Sequence, residues 1–391
     1  MKEICDIMEK FADAKINKTY LKVCAPMVRY SKVHFRTLVR NFNADLCFTP
    51  MILADSFCQN SKARANEFMT TTTDFPVIAQ FAANNRDDFV DASKLVYPYV
   101  DGVDLNCGCP QKWAMKDGYG CSLLSKPEII YDIVKGLRNV LPNKFSISVK
   151  IRLLNDIKKT VILCQQLEKC GVTFLTIHGR TIAQKSSGPV DINGLKEVRE
   201  ALSVPMVANG GVKNLNDANH LYEVVKCSGV MAAGGLLSNP ALFSGITKTP
   251  LSCVKMWMEL KNKNIERITF QCYHHHLVFM LEKVLTKQQK QIFNHLSTFE
   301  SVDDFILNNL FENSIVDFHY KHELGNFTEC QFPDQITMKH CTKCRTCGKS
   351  VHYCVCNKYD YSTTHGNFFI SHINADDGLD YMDSNIFDEP I

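Results

Sequence analysis

No run of about 18 or more apolar residues occurs in the chain, so a membrane-spanning helix is not expected. The N-terminus also lacks the apolar stretch of a secretory signal and opens instead on charge, with Ile4, Ile7, Met8 and Phe11 at helical spacing. Eighteen cysteines without such a signal point to reduced thiols, a metal site or a catalytic thiol, and away from a disulfide framework. No GxGxxG follows the first apolar run, which weakens a dinucleotide-binding reading. Asp is missing from residues 248–295, where eight Lys or Arg stand against three Glu. The net charge of +3 is uneven: residues 358–391 hold six Asp and one Glu against one Lys, a net of −6, leaving +9 on residues 1–357. A basic body suits a polyanion such as RNA, although a solvated lysine face is the commoner explanation.

What is present is a chain of 391 residues, 45% hydrophobic, long enough for a sizeable core and two or three units. Short apolar runs recur at Leu21–Ala25, Leu46–Thr49, Val77–Phe81, Val103–Asn106, Phe145–Ile151, Phe174–His178, Pro205–Asn209 and Gly229–Ala232. Helical patterns fall between them, at 31–42, 86–97, 127–140, 158–170, 195–201 and 216–226. Eight strands alternating with helices predict an α/β fold, a (β/α)8 TIM barrel, with an open doubly wound sheet as the alternative.

The exits of these runs carry the chemistry. Asn106-Cys107-Gly108-Cys109-Pro110 breaks an apolar strand into a turn that presents Cys109 at the rim. A free cysteine is ordinarily a small buried hydrophobe, so the turn alone does not make it catalytic. The other exits are Pro26-Met27, Thr49-Pro50, Gln80, Lys150 with Arg152, His178 with Arg180, Asn209-Gly210-Gly211 and Gly234-Gly235. Each has a bland account, as a snorkelling lysine, a core histidine or a plain turn. Together they predict one lined pocket, with the last two glycine-rich loops suited to backbone approach to a phosphate.

After Pro250 the pattern is helical. Leu277, Met280, Leu281, Val284 and Leu285 form a docking face, and His274, His275 and His276, too regular to converge on one metal, are expected at the surface. Residues 312–339 read as a linker. Cys344, Cys347, Cys354 and Cys356 then form two close pairs able to enclose zinc, with Cys341, His340 or His352 as substitutes. The acidic end, 358–391, is expected to be disordered.

Cys24-Ala25-Pro26-Met27-Val28-Arg29-Tyr30, Thr49-Pro50-Met51, Gln80-Phe81-Ala82, Asn106-Cys107-Gly108-Cys109-Pro110, Lys150-Ile151-Arg152, His178-Gly179-Arg180-Thr181, Ala208-Asn209-Gly210 and Leu236-Leu237-Ser238-Asn239-Pro240 follow in fixed order. With these motifs the chain resembles the tRNA-dihydrouridine synthases, most nearly their eukaryotic Dus4-type branch, from about residue 21 to 310. The resemblance implies an FMN-binding TIM barrel over 21–248, preceded by an N-terminal helix in 1–20 and followed by a helical tRNA-binding domain over 249–311. It implies reduction of a D-loop uridine, of the 20a/20b type by analogy, with FMN and NADPH. Carried over by position, Cys109 is the proton donor, and FMN contacts Pro26, Met27, Val28, Gln80, Lys150, His178, Asn209, Gly210, Gly211, Gly234 and Gly235. Asn106, Arg152 and Arg180 are expected at the substrate.

Two positions depart from the family pattern: Gly211 where Asp is usual, and Gly234 where Arg is usual. Losing a charge-assisted hydrogen bond of about 1.5–3 kcal/mol is expected to loosen FMN by about one to two orders of magnitude. The segment 340–357 resembles the opening zinc motif of DTW-domain proteins, though Lys349-Ser350 replace the favoured Arg-Pro and no Asp-x-Thr-Trp follows. A cytoplasmic or nuclear monomer acting on tRNA is expected. The competing readings are a flavin barrel acting on a small pyrimidine and a tRNA-binding pseudoenzyme with an emptied flavin pocket.

Overall fold

The computed structural model describes residues 4–184, 188–311 and 320–332. Among them, nine strands run parallel in one sheet: β1 (Leu21–Cys24), β2 (Leu46–Phe48), β3 (Ile52–Leu53), β4 (Val77–Ala82), β5 (Gly102–Cys107), β6 (Ser146–Arg152), β7 (Phe174–His178), β8 (Met206–Asn209) and β9 (Gly229–Ala232). β1 pairs with β9 on one side and β2 on the other, and β2 pairs with β4, so the sheet closes. β2 and β3 share one position in the ring, since both pair with β4. Thr49-Pro50-Met51 separates them, because Pro50 has no amide for the ladder. The Thr49 hydroxyl fills the break by donating to the Pro50 carbonyl (2.9 Å) and accepting the Gln80 amide (3.1 Å). The result is an eight-position TIM barrel, as expected.

The outer helices start where short polar side chains can cap them. Asn85, Asp156, Asp191 and Asn214 each accept backbone amides of the first turn that follows, and Pro127 opens the helix Pro127–Arg138. Apolar residues then pack on the strands, among them Phe89, Ile133, Leu163, Leu195 and Leu221, all buried. At the barrel's lower end Asp74 is fully buried between two guanidinium groups. Arg36 Nε donates to both its oxygens (3.2 and 3.1 Å), and Arg40 binds it (3.4 Å) and the Pro76 carbonyl (2.6 Å).

Past the barrel come the helices Leu251–Lys263, Phe270–Leu281, Lys287–Asn294 and Phe299–Ile306. Leu277, Met280, Leu281 and Leu285 are buried, as the helical spacing predicts. The three histidines are not at the surface. His276 is 0% exposed, stacks on Phe35 and holds the Tyr30 carbonyl (3.1 Å), while His274 is buried against Phe270 and Phe293. His275 sits half-buried beside the Tyr30 hydroxyl (3.3 Å). The helix touches the barrel on one side and its sister helices on the other, so consecutive residues are all covered.

The expected linker is also partly structured. His322 exchanges backbone hydrogen bonds with the Asn41 side chain (2.7 and 2.9 Å), Phe327 bridges to Thr71, and Phe332 joins Phe57, Phe68 and Tyr99. This strap lies over the short helices Ala54–Gln59 and Ser61–Glu67, where the second βα unit has no long helix.

Asp74→Ala leaves two buried guanidinium groups uncompensated, and denaturant unfolding is expected to show a loss of about 3–5 kcal/mol. A loss below about 1 kcal/mol, the scale of an exposed pair, would contradict this account of the barrel floor.

Candidate active site

Side chains along a strand alternate between the helices and the barrel interior, so register decides which residues meet at the mouth. Gln80 lies beside Asp104, Asn106 beside Lys150, Arg152 beside His178, and His178 beside Asn209. These pairs run round the barrel through β4, β5, β6, β7 and β8 at the strands' C-terminal ends, where the exit residues were expected.

Hydrogen bonds join several of them. Gln80 donates through Nε2 to Asp104 (2.8 Å) and accepts through Oε1 from Asn106 (2.9 Å). Asn106 Oδ1 accepts the amides of Gly108 (3.1 Å) and Cys109 (2.9 Å), which shapes the turn after β5. Arg152 donates to the Gly108 carbonyl (2.8 Å) and to Thr181 O (3.3 Å). Arg180 reaches the Gly188 carbonyl (2.6 Å) and the His178 ring (3.3 Å). Asn209 Nδ2 donates to Met231 O (3.0 Å), tying β8 to β9.

The Cys109 thiol is 2% exposed and lies in an apolar box with Met51, Leu53, Ala82, Ala114 and Tyr119, with Val28 and Trp113 at its edge. Burial pushes its pKa up, opposed by a hydrogen bond at Gln111 and by the charges of Arg152 and Lys150. Burial and the neighbouring Arg152 push Lys150 down to about 8, against the pull of Asp104. His178 is lowered to about 2, by burial first and then by Lys150, Arg152 and Arg180, so its ring is neutral. The charges of Lys150 and Arg152 reach both Cys109 and His178, which groups the three side chains around one mouth.

The loop after β1 supplies Pro26, Met27 and Val28. Met27 is buried, its amide bound to Ser31 Oγ (2.9 Å) and its carbonyl to the amides of Tyr30 and Ser31. Gly210 and Gly211 have φ of +122° and +73°, which L side chains rarely adopt. Gly234 and Gly235 open the short helix Gly234–Ser238 after β9, and a Cβ on Gly235 would stand 2.3 Å from the Val212 carbonyl. No side chain fits.

Sequence reasoning missed Asp104, Ser148 and Cys121. Asp104 is fully buried, takes the Ser148 hydroxyl (2.6 Å), and is raised to about 6 by desolvation. The signal was there: Asp104 and Asn106 are two apart on one face of an otherwise apolar strand. Cys121 comes back to this place through its amide on the Cys109 carbonyl (3.0 Å), a hydrogen bond between residues the sequence spaces twelve apart. Cys344, Cys347, Cys354 and Cys356 lie outside the described residues, and among those described no group of three or more His, Cys, Asp or Glu is suited to a metal.

A closed parallel barrel with a buried thiol, a lysine and a neutral histidine around one mouth defines a TIM-barrel enzyme site. The chain belongs to the dihydrouridine synthase family, described as Dihydrouridine synthase (Dus), which it matches over residues 23–336. It is 46% identical over 297 residues to a Mus musculus protein named tRNA-dihydrouridine(20a/20b) synthase (NAD(P)+)-like, covering 75% of this chain and 90% of that one. A Homo sapiens protein of the same name is 46% identical over 288 residues, covering 73% and 90%. A Schizosaccharomyces pombe protein named tRNA-dihydrouridine(20a/20b) synthase (NAD(P)+) is 39% identical over 297 residues, covering 76% and 90%. Among solved structures, an old yellow enzyme homologue from Zymomonas mobilis aligns at a TM-score of 0.40 and 10% identity, covering 57% of this chain and 86% of that one.

His178 at about 2, and the buried His34 and His276 at about 3, all have folded pKa values depressed mainly by burial. An unfolded histidine titrates near about 6.5, so below that pH the unfolded chain binds more protons and stability falls. The contribution is complete above about pH 6.5 and is expected to drop by about 1.4 kcal/mol per pH unit for each residue below it. Urea unfolding across that range checks this, and a flat profile would show that the rings are not held neutral.

Proposed function

We propose that this protein reduces a uridine in the D-loop of tRNA to 5,6-dihydrouridine, with FMN at the barrel mouth and NADPH as electron source. The family and the shared mouth of Cys109, Lys150 and His178 support this reading. The single observation that carries it is a buried thiol, kept protonated by its surroundings, beside two cations. The fit to FMN rests on the donor set: Lys150, Arg152 and Arg180 outnumber Asp104, the carboxylate buried beside Gln80 and Asn106, and Gly210 and Gly211 leave bare backbone where a phosphate-bearing group would lie.

Bound there, FMN would supply the hydride for C6 of the uracil. The rest falls to the chain's own residues. Negative charge that develops on the uracil is discharged when the Cys109 thiol gives its proton to C5. Lys150 and Arg152 then stabilise the thiolate left behind, the same charges that oppose its raised pKa. The apolar box of Met51, Leu53 and Tyr119 keeps water from that sulfur. Lys150, Gln80, His178 and Asn209, with Pro26, Met27, Val28, Gly234 and Gly235, would hold the cofactor, and Asn106 and Arg180 face the base or its phosphate.

The 20a/20b positions are the part of the D-loop we assign, in keeping with the Dus4-type branch, and the helices over 249–311 are the surface we assign to tRNA. The enzyme acts as a monomer in the cytoplasm or nucleus. Lys283 and Lys287 are exposed on these helices, and Lys290 nearby pairs with Glu282 (2.7 Å).

Mass spectrometry of tRNA incubated with the purified protein and NADPH is expected to show a gain of two hydrogens at a D-loop uridine. Product from free uracil alone would favour a small-pyrimidine enzyme, and a colourless protein that cannot be loaded with FMN would leave only binding. Cys109→Ala is expected to abolish product while NADPH still bleaches the flavin; unchanged yield removes the assigned proton donor. Reversing Lys283, Lys287 and Lys290 to Glu is expected to weaken tRNA binding and to lower the slope of log K against log salt by about 0.7 to 0.9 for each phosphate the protein no longer neutralises. An unaltered slope would put the RNA on another face.

A further inference from the structure

The proposed reaction uses the Cys109 thiol but leaves open what aims it. The turn that carries it, Cys107 to Pro110, has Asn106 beneath it, and the Asn106 amide can sit in two orientations of nearly equal shape. Only one of them offers an oxygen to the amides of Gly108 and Cys109. The choice is made two links away. An ionised carboxylate only accepts, so Asp104 takes the NH2 end of Gln80, which turns the Gln80 oxygen towards Asn106. Gln80 then takes the NH2 end of Asn106, and the Asn106 oxygen is left for the turn. Ser148 holds the other carboxylate oxygen (2.6 Å) and closes the far end of the chain.

We propose that Asp104 is a positioning residue of this site: through Gln80 and then Asn106 it sets the polarity of a hydrogen-bond relay that holds the Cys109 turn and aims its thiol into the barrel mouth. The inference rests on the proposed reaction for its kinetic consequence, although the relay itself involves only this chain. Asp104 is an expensive residue to bury, with no lysine or arginine in direct contact among the described residues, and a well-packed apolar side chain would fill its space at less cost. A leucine there would let Gln80 and Asn106 turn over together. The turn would lose its acceptor.

Asp104→Asn and Asp104→Leu separate the relay from mere packing. Asparagine can still give an oxygen to Gln80 while its NH2 meets the Ser148 oxygen, whereas leucine gives nothing. Two measurements on the full chain follow: site-resolved mass spectrometry of iodoacetamide alkylation at Cys109, and kcat and KM for tRNA. In Asp104→Leu the turn loosens and water reaches the sulfur, which makes the thiolate easier to form, so alkylation is expected to rise about tenfold. Its kcat should fall about 100-fold, the scale of a misplacement of about 1 Å, with KM within about twofold of wild type. Asp104→Asn should keep Cys109 alkylation at the wild-type rate.

Cys109 alkylation that does not change in Asp104→Leu, or that changes equally in both variants, overturns the proposal. If Asp104→Leu does not fold, Gln80→Met cuts the same relay one link later at nearly equal volume, and unchanged alkylation there overturns it too. A wild-type protein that forms no dihydrouridine sinks the proposed reaction alone, because alkylation reads the relay without substrate.

Discussion

The site depends on the register of a closed parallel sheet. Each strand from β4 to β8 is paired on both sides, so none can slide without breaking two ladders. A slip of β6 by one residue would replace Lys150 with Val149 or Ile151 and turn the lysine towards the helices. Closure of the ring through β1 and β2 removes the free edges along which such a slip could be absorbed. The polar ring at the mouth is therefore a consequence of backbone pairing, with the side chains following from alternation.

Desolvation then gives those side chains their chemistry. The same scarcity of water raises the thiol of Cys109, lowers the ammonium of Lys150 and keeps the His178 ring neutral. Without that desolvation the two cations would pull the thiol pKa down and favour the thiolate, which has no proton to give. The Asp104 carboxylate supports the Lys150 ammonium and tempers a strongly positive mouth. Acid, cation and neutral ring coexist because burial disfavours the charged form of each from a different ordinary pKa.

Two additions outside the barrel tie its mouth to the rest of the molecule. The loop after β1 is gripped from behind by His276 on the Tyr30 carbonyl and by the Cys272 thiol on the Arg29 carbonyl (3.7 Å), while Tyr30 itself bonds back to Met27. The basic helices thus rest directly on a loop that lines the mouth. On the barrel's flank the 320–332 strap covers the short helices after β3 with Phe332 and holds the loop before β4 through Thr70, Thr71, Thr72 and Thr73.

The eight ring positions and most strand boundaries were legible in the residues, though not the short extra strand Ile52–Leu53, because apolar runs of four to seven residues between capped amphipathic helices point to a parallel α/β fold. So was the ring of exit residues, since a parallel barrel gathers strand ends at one rim. Three things were not legible. The burial of His274 and His276 follows from a helix covered on two sides, which no periodicity of a single helix reports. The strap at 320–332 has no periodic pattern because it is held by the Asn41 side chain and by aromatic contacts with residues more than 200 positions away. Asp104 was visible as a letter in the central strand, but its role depends on Gln80 and Ser148 arriving from the strands on either side. The chain by itself determined which side chains alternate inward along each strand; only closure of the barrel decided which of them touch, because hydrogen bonds between neighbouring strands are set by register and not by distance along the chain.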